Sequence, residues 1–496
     1  MGKSNEMTEL AEKTGLSKAV LWFYGVGDFG ASTFSSMKQY FWVYFLSSVA
    51  LFPLGVVAII TTATQVVTIA LSPVYGAFID ATKPMRWGRY RSWVIIPLPF
   101  CIIFSALAWT HMGGHMAPFF CGLFTIIGTI FYNIAYVANQ SLIRVVAKTQ
   151  SDRARMASTR GVYANLSVVA WSVLGQPLIA LIGTIVGTGV INYTVASFIY
   201  GCMFGIGYCI HFIITKDVER VLKEEGFDEE ALENTAAEVK KSEDAEKREI
   251  SFREALKKPE EEKVTVKEML VAMIKVPSIF ALFVPDIIRW FALFSMNGAT
   301  VFFFTLVWNN AALMATYLAV ANVAAIIGSV VMRVLATKVG LKNTAIIGFF
   351  GFGIPLIIGW LQYHNIMFVM VCLVVAKFFY GIIYTIVPAL YADISVYSEW
   401  KTGHGAAGWF TGLSQVPIQI GILITNLVIS GFLALGGYTG TETAETATPL
   451  LQDWIANVFM GVQGIAMVVT TFVFVFGYRL TTAVMQQCQK ELAERS

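Results

Sequence analysis

Long apolar segments recur along this chain of 496 residues and constrain its fold more than any other feature. Hydrophobic residues make up 56% of the sequence and charged residues 14%, against about 25% charged in ordinary soluble proteins. About 20 helical residues cross the hydrocarbon core of a bilayer, so each segment is long enough to span a membrane. We predict an all-α membrane protein with twelve spans: Val20–Ser47, Leu54–Ile79, Trp93–Trp109, Pro118–Val146, Gly161–Ile185, Tyr193–Ile214, Ile279–Leu306, Ala311–Val334, Thr344–Leu361, Ile366–Tyr391, Trp409–Leu433 and Ile455–Phe476.

Positive charge in the short loops predicts the orientation of these spans, because Lys and Arg collect on the cytoplasmic side of a membrane. The loops after odd-numbered spans contain no Lys or Arg. The basic residues follow the even-numbered spans instead: Lys83, Arg86, Arg89, Arg91, Lys148, Arg153, Arg155, Lys338, Lys342 and Lys401. We therefore expect a multi-pass protein of the inner or plasma membrane with both termini in the cytoplasm.

One long charged segment, from Lys216 to about Ile274, divides the spans six and six. It predicts five regions: a cytoplasmic N-terminal segment (1–19), a six-helix bundle (20–215), a charged cytoplasmic linker (216–275), a second six-helix bundle (276–478) and a cytoplasmic tail (479–496). The polar N-terminus lacks the apolar core of a signal peptide. A basic turn with a glycine follows the second span at Gly88 and the eighth span at Gly340, which indicates a duplicated six-helix unit of the kind found in secondary transporters.

Ionisable residues inside the spans are candidates for function, because a charge in the hydrocarbon core costs at least ~2.5–3.5 kcal/mol. Five lie there: Asp28, Lys38, Asp286, Arg289 and Lys377. Asp286 and Arg289 stand one helical turn apart, so they either form a neutral structural pair or act separately, with Asp286 exchanging a proton. Lys377 has no acidic partner in its own helix. Three buried cations against two acids favour an anionic or polyhydroxyl substrate.

Neutral polar residues mark two further helix faces. On the first span, Asp28, Ser32, Ser35 and Gln39 share one face at i, i+4, i+7 and i+11, which we expect to line a cavity, although Asp28 could also tie helices together. Lys38 either faces this cavity or extends to the outer interface. The fourth span carries side chains that suit sugar hydroxyls but that also join helices in membranes: Asn133, Tyr136, Asn139 and Gln140.

Four segments resemble, in order, the glycoside-pentoside-hexuronide:cation symporter family, a branch of the major facilitator superfamily that includes the melibiose carrier. They are YGVGDFG (24–30), PVYGAFIDATKPMRWGRYRSW (73–93), SDRARMASTR (151–160) and LYADISVYSEWKTG (390–403). The resemblance covers all twelve spans and implies a sugar transporter that works by alternating access. It also implies a cytoplasmic gate of charged residues: Asp80, Arg86, Arg153, Arg155, Asp393, Glu399 and Lys401.

The sequence departs from this family where the coupling cation and the sugar bind. Carboxylates of sodium-coupled relatives correspond to Thr68, Ser72 and Tyr136, a further sugar-binding acid corresponds to Ser32, and a lysine corresponds to Gln419, whereas Arg160 is retained. A dehydrated Na⁺ needs several oxygen ligands with compensating negative charge. We therefore predict coupling to H⁺ through Asp28 or Asp286, or no coupling, in preference to Na⁺.

These observations predict a secondary transporter of a glycoside, pentoside or hexuronide such as a glucuronide. The predicted substrate contacts are Asp28, Ser32, Lys38, Tyr136, Asn139, Gln140, Arg160, Arg289, Lys377 and Gln419. A transporter of a non-sugar organic anion is the alternative. A membrane-embedded enzyme or receptor is disfavoured, because the sequence contains no placed nucleophile and no soluble catalytic domain. The six cysteines form no metal-binding cluster, and the net charge of +3 is too small to indicate a nucleic-acid partner. We expect a monomer without cofactor or metal in the lipid bilayer.

Overall fold

The structure, a computed structural model, describes residues 18–82, 85–146, 150–216, 277–402, 416–480 and 482–495. Eleven helices in these ranges are long and apolar enough to cross a membrane by length and composition. The first span is the twelfth, and it is less apolar because it carries polar side chains such as Asp28 and Lys38. It packs against the fifth, sixth and seventh spans. The predicted all-α fold with twelve spans is confirmed.

Most spans are single helices, and their ends follow the apolar segments closely. The first consists of Val26–Tyr44 and a π-helical turn, Phe45–Val49, and the seventh consists of Pro277–Phe302 and a π-helical turn, Phe303–Val307. The others are Leu54–Ala81, Arg89–Ala108, Ala117–Val146, Gln150–Val186, Val190–Ile214, Ala311–Val339, Leu341–Leu361, Ile366–Thr402, Val416–Leu435 and Pro449–Gly477. Short helices precede and follow the spans, at Lys18–Phe23 and Thr482–Arg495.

Several bounds differ from the predicted ones. The first span does not run unbroken from Val20, because the chain turns at Tyr24 and Gly25. The third span starts at Arg89 and divides into Arg89–Ile95 and Leu98–Ala108, next to Pro97, whose ring leaves the helix without one N–H donor. The fifth and tenth helices have 37 residues each, about 55 Å at 1.5 Å per residue, and so extend beyond the hydrocarbon core. Predicted segments 1–17, 217–275 and 409–415 lie outside the described residues.

The two six-helix bundles have the same internal contacts. In the amino-terminal bundle the first span packs on the fifth and sixth, the third on the fourth and sixth, and the second on the fourth. In the carboxy-terminal bundle the seventh packs on the eleventh and twelfth, the ninth on the tenth and twelfth, and the eighth on the tenth. Adding six to each span number in the first set of contacts gives the second set, as a duplicated unit requires.

Backbone details repeat between the bundles as well. The first and seventh spans both end in a π-helical turn, and a non-glycine residue with positive φ follows each turn: Leu51 (φ 55°) and Asn309 (φ 48°). The third and ninth spans both begin after a glycine with positive φ, Gly88 (96°) and Gly340 (81°). Side chains other than glycine are disfavoured in this region. The basic turns noted in the sequence are therefore equivalent structural elements.

Among the described residues, the main contacts between the bundles join the first span with the seventh, the second with the eleventh, and the fifth with the eighth. We call the side of the molecule that carries Lys18 and Arg495 the terminal face, and the opposite side, with the loop 436–448, the distal face. On the terminal face, the helix Thr482–Arg495 packs against the end of the tenth helix, where Trp400 Nε1 donates to Glu491 Oε2 at 2.7 Å.

Candidate functional site

Asp28 forms a buried ion pair with Arg160 that joins the first span to the fifth. Two guanidinium nitrogens donate hydrogen bonds to the two carboxylate oxygens, Nε to Oδ2 at 2.6 Å and Nη2 to Oδ1 at 2.5 Å. Its remaining nitrogen, Nη1, donates to Gln140 Oε1 on the fourth span at 2.5 Å. This bidentate geometry is the strong form of an arginine–carboxylate contact. The pair is neutral as a unit and holds three helices of the amino-terminal bundle together.

Asp286 and Arg289 form a second buried ion pair, within the seventh span. Arg289 donates from Nε at 2.7 Å and from Nη2 at 2.5 Å to Asp286 Oδ1. Tyr391 on the tenth span donates its hydroxyl to Asp286 Oδ2 at 3.0 Å, and the guanidinium lies over the ring of Trp290. Of the two interpretations of these residues, the structure adopts the paired one.

Lys38 faces a cavity of about 230 Å³ that is lined mostly by the amino-terminal bundle and, on one side, by Gln419 and Ile422 of the eleventh span. An adjoining cavity of about 220 Å³ shares part of its lining, and we refer to both together as the Lys38 cavity. The Lys38 ammonium donates one hydrogen bond, to Thr129 Oγ1 at 3.1 Å, and lies 6.0 Å from the ring centre of Trp42. The shared lining residues are Ser35, Lys38, Trp42, Thr64, Gln65 and Ile422.

Lys377 faces a larger cavity of about 770 Å³ between the bundles, which we call the Lys377 cavity. Its ammonium lies 5.5 Å from the ring centre of Tyr380, and the side chain is 4% exposed. Among the described residues, neither Lys377 nor Lys38 has a carboxylate within ion-pair distance. Polar and aromatic side chains complete the wall: Gln39, Asn165, Trp290, Asn297, Asn322, Ser329, Arg333 and Tyr384.

The first span separates the two cavities. Ser35, Lys38 and Trp42 line the Lys38 cavity, whereas Ser36 and Tyr40 line the Lys377 cavity. Gln39 lines both, and its Oε1 accepts a hydrogen bond of 3.3 Å from Nδ2 of Asn297 in the other bundle. This amide pair lies where the cavities approach each other.

Contacts between the bundles close the distal side of these cavities. Ser48 Oγ and Tyr438 OH are 2.5 Å apart, and the rings of Tyr44 and Phe302 pack edge to face at 5.4 Å. Closer to the middle of the bundles, Gln65 Nε2 donates to Gln419 Oε1 at 2.6 Å. The Lys377 cavity continues toward the terminal face, where Val162, Met332 and Arg333 belong to its lining. The cavities are therefore closed on the distal side, whereas the Lys377 cavity extends toward the terminal face.

Sequence comparison places this architecture in a family. The model of the family described as "MFS/sugar transport protein" matches residues 23–241 and 244–482, which is nearly the whole chain. The chain belongs to the MFS/sugar transport family. The resemblance to the glycoside-pentoside-hexuronide symporters is thereby confirmed, and the protein is a secondary transporter. Its substrate is accordingly a small molecule.

Two curated relatives of this transporter are similar over most of their length. The isoprimeverose transporter of Lactiplantibacillus pentosus is 22% identical over 454 residues, which cover 90% of this chain and 86% of the relative. A glucuronide carrier protein homolog of Escherichia coli (strain K12) is 22% identical over 433 residues, covering 85% and 83%.

Solved structures share the fold of this transporter at low sequence identity. A bacterial homologue of the iron transporter ferroportin in an inward-facing state superposes with a TM-score of 0.61 at 12% identity, covering 93% of this chain and 98% of that one. The nucleoside transporter NupG gives a TM-score of 0.58 at 11% identity, covering 94% and 100%. These matches concern the fold alone.

The predicted site residues of the transporter fall into separate groups. Lys38, Thr68 and Gln419 line the Lys38 cavity, and Lys377 lines the other. Asp28, Arg160, Asp286 and Arg289 form the two ion pairs, and Gln140 accepts a hydrogen bond from Arg160. The first-span face divides accordingly: Ser35 and Gln39 line cavities, whereas Asp28 is held by Arg160 and Ser32 accepts hydrogen bonds from Ser35 and Ser36 through its backbone.

The remaining predicted residues lie apart from the cavity walls described above. Asn139 is fully buried and its Oδ1 contacts His211 Nδ1 at 2.8 Å, while Gly27 N–H donates to Nε2 of the same ring. Tyr136 stacks on Tyr132 at 5.8 Å, and Ser72 is exposed on the surface of the second span. Asn139 and His211 thus fix the start of the first span next to Asp28.

The predicted gate residues lie at the terminal face. Arg86 and Lys401 are exposed, and Asp393 is partly buried. Lys401 lies 5.9 Å from the ring centre of Tyr397. The side chains of the other four lie outside the described part of the structure: Asp80, Arg153, Arg155 and Glu399.

The sequence analysis missed several residues that line the cavities. Gln65, Asn297 and Asn322 are amides inside membrane spans, and all three make hydrogen bonds between the bundles. Polar side chains join transmembrane helices, so amide side chains within these spans were a usable signal. Trp290 and Tyr384 carry no such signal, because aromatic residues are frequent throughout this chain.

Proposed function

We propose that this transporter carries an acidic sugar derivative, a hexuronide or glucuronide, by alternating access. The observation that supports this proposal is the Lys377 ammonium, which faces the cavity of about 770 Å³ between the bundles and has no carboxylate within ion-pair distance among the described residues. Arg160 and Arg289 are each already neutralised by an aspartate, so Lys377 adds positive charge that no such pair offsets in the part of the chain that the structure describes. A carboxylate on the substrate complements that charge, and hydrogen bonds to charged groups contribute about 1.5–3 kcal/mol each.

The rest of the cavity wall suits a sugar. Gln39, Asn297 and Asn322 supply amide donors and acceptors for hydroxyl groups, and Trp290 and Tyr384 supply flat aromatic surfaces. The volume of about 770 Å³ lies within the range of about 300–1,000 Å³ usual for small-molecule sites. The curated relative described as a glucuronide carrier homolog supports the same substrate class.

We assign the terminal face to the cytoplasm of the cell, because the basic loops lie on that side. Under this assignment both termini are cytoplasmic, and the present conformation opens inward through the Lys377 cavity. The distal contacts, Ser48 with Tyr438 and Tyr44 with Phe302, break in the outward-open state. Charged residues of the predicted gate, Arg86 and Lys401 among them, then pair across the cytoplasmic side. We take the monomer to be the transporting unit, since each cavity is built from one chain.

Sodium is disfavoured as the coupling ion. Thr68 shares the Lys38 cavity with the Lys38 ammonium, whose charge opposes a second cation in a space of about 230 Å³. Asp28 is the better candidate for coupling, because a proton on its carboxylate would release Arg160 and loosen the contact between the first and fifth spans. We therefore propose symport with H⁺ through Asp28, with uncoupled transport as the alternative.

Counterflow in proteoliposomes tests the proposed substrate class. Vesicles preloaded with a glucuronide should accumulate labelled glucuronide, and neutral glycosides of the same size should exchange at least about tenfold more slowly. Lys377→Gln should abolish this preference, whereas Lys338→Gln, an exposed lysine near the terminal face, should behave as wild type.

Two results would count against the proposal. Equal exchange of neutral and acidic glycosides by the wild type would show that Lys377 does not select substrates with an acidic group. Exchange of simple organic acids as fast as that of glucuronides would favour a non-sugar anion as the substrate.

A further inference from the structure

The Lys38 cavity contains a second cation that has no carboxylate partner in the described part of the chain, and a substrate with one acidic group leaves it unexplained. Lys38 Nζ has three donors and uses one of them, on the neutral hydroxyl of Thr129. Among the described residues no carboxylate lies within ion-pair distance of it. Lys38 is only partly exposed, and an ammonium that is largely withdrawn from water without a counter-ion is destabilised. A ligand that brings negative charge would offset this penalty.

The ammonium groups of the two lysines lie at similar depths in the duplicated unit, although Lys38 belongs to the first span and Lys377 to the tenth. Lys38 reaches Thr129, the thirteenth residue of the fourth span, and Lys377 is the twelfth residue of the tenth span. The fourth and tenth spans correspond in the two bundles, as their matching contacts show. Each bundle therefore presents one ammonium at about the same depth, on its own side of the first span.

The geometry also supplies a connection between the two cavities. Gln39 lines both, and its hydrogen bond to Asn297 is 3.3 Å long, near the upper limit of such bonds. Rotation of these two amide side chains would join the cavities around the first span. The joined space would have one ammonium at each end and hydroxyl-binding amides between them.

We propose that the substrate carries two acidic groups on separate sugar units, and that Lys38 binds one while Lys377 binds the other. This inference rests on the proposed function, since it takes Lys377 as the first acid site. It assigns Lys38 as a specificity-determining residue that selects acidic disaccharides, such as diuronides, over glycosides with one carboxylate. The unit bound at Lys38 lies against Trp42 and Thr129, and Gln65 is within the same cavity.

Binding measurements on the purified full chain in detergent test this assignment with two probes. Digalacturonate carries a carboxylate on each unit, and methyl galacturonide carries one. The wild type should bind digalacturonate about ten- to a hundredfold more tightly, the effect of one further charge-assisted contact. Lys38→Gln should bring the ratio of the two dissociation constants close to one. Lys38→Arg, which keeps the positive charge, should keep the preference for digalacturonate.

The outcomes separate this inference from the proposed function. If methyl galacturonide binds but the ratio is near one in the wild type, or the ratio is the same in Lys38→Gln, the second acid site does not exist and the proposed function stands. If neither probe binds to folded wild-type protein, both proposals fail. A general defect in folding weakens both probes together, and thermal unfolding of each variant identifies it independently.

Discussion

The Asp28–Arg160 pair allows a quantitative test of how the amino-terminal bundle is held together. We consider Arg160→Met, which replaces the guanidinium by an apolar side chain of similar length and leaves the Asp28 carboxyl group without its partner. Both side chains of the pair are 8% exposed, so little water compensates the isolated carboxylate. Removing one partner of such a pair destabilises a protein by about 3–5 kcal/mol. The Gln140 contact of Arg160 is lost as well.

The double variant Asp28→Asn/Arg160→Met provides the decisive comparison. It removes both charges, so the penalty of an unpaired buried carboxylate disappears and most of the lost stability should return. The assay is the free energy of unfolding in detergent micelles, from denaturant titration of the wild type, both single variants and the double variant. Arg86→Met, at an exposed arginine on the terminal face, serves as control and should change stability by less than about 0.5 kcal/mol.

Two results would refute this account of the pair. Wild-type stability of Arg160→Met would mean that the buried contact contributes little. A double variant as unstable as Arg160→Met would mean that Arg160 acts through something other than Asp28. Counterflow by a stable double variant separates the structural role from the substrate contact that the family resemblance implies for Arg160, because only the latter predicts complete loss of exchange.

Three further predictions follow from individual contacts. Asp28→Asn should preserve counterflow but abolish accumulation driven by a pH gradient; retained accumulation would exclude Asp28 as the proton site. Tyr438→Phe removes the hydrogen bond with Ser48, which contributes about 0.5–1.5 kcal/mol to closure of the distal side. Distances between spin labels at the exposed Met112 and Thr441 should therefore show a larger population at long distance. An unchanged distance distribution would contradict the closure assigned to Tyr438. Partial burial raises the pKa of Glu442, but hydrogen bonds from Thr439 and from the Gly440 N–H outweigh it and hold the pKa below its usual value. The carboxylate therefore stabilises the distal loop above the unfolded pKa of about 4.3, and amide-exchange protection of residues 437–446 should fall as the pH drops below that, whereas Glu442→Gln should lose protection already at neutral pH.

The sequence predicted those features that depend on local periodicity. The twelve spans follow from apolar runs of the required length, and the duplication was indicated because a basic turn with a glycine follows both the second and the eighth span, at Gly88 and Gly340. The pairing of Asp286 with Arg289 was one of two open interpretations, since helix geometry places residues three apart side by side. The break at Tyr24 and Gly25 had no such periodic signal.

Features that depend on packing between distant spans could not be predicted from local periodicity. Asp28 and Arg160 lie 132 residues apart, and only the contact of the first span with the fifth brings them together. The same holds for Gln65 with Gln419, which are 354 residues apart and belong to different bundles. A polar face on a helix indicates that something polar lies opposite, but it does not identify a cavity, a water or an arginine as that partner.

The paired arginines and the cavity lysines differ in kind as well as in place, and the difference follows from their chemistry. Arg160 and Arg289 have planar groups that bind one carboxylate through two nitrogens, and each is held by an aspartate of its own bundle. Lys38 and Lys377 end in compact ammonium groups on flexible stems, and each faces a cavity. A rigid fork suits a pair within one bundle, because its hydrogen bonds are satisfied in one fixed geometry. A flexible point charge suits a ligand that arrives, moves with the alternating bundles and leaves. The two lysines are on this account the residues that bind and release the substrate, while the arginine pairs preserve the shape of each bundle, and only protonation of Asp28 parts one of them.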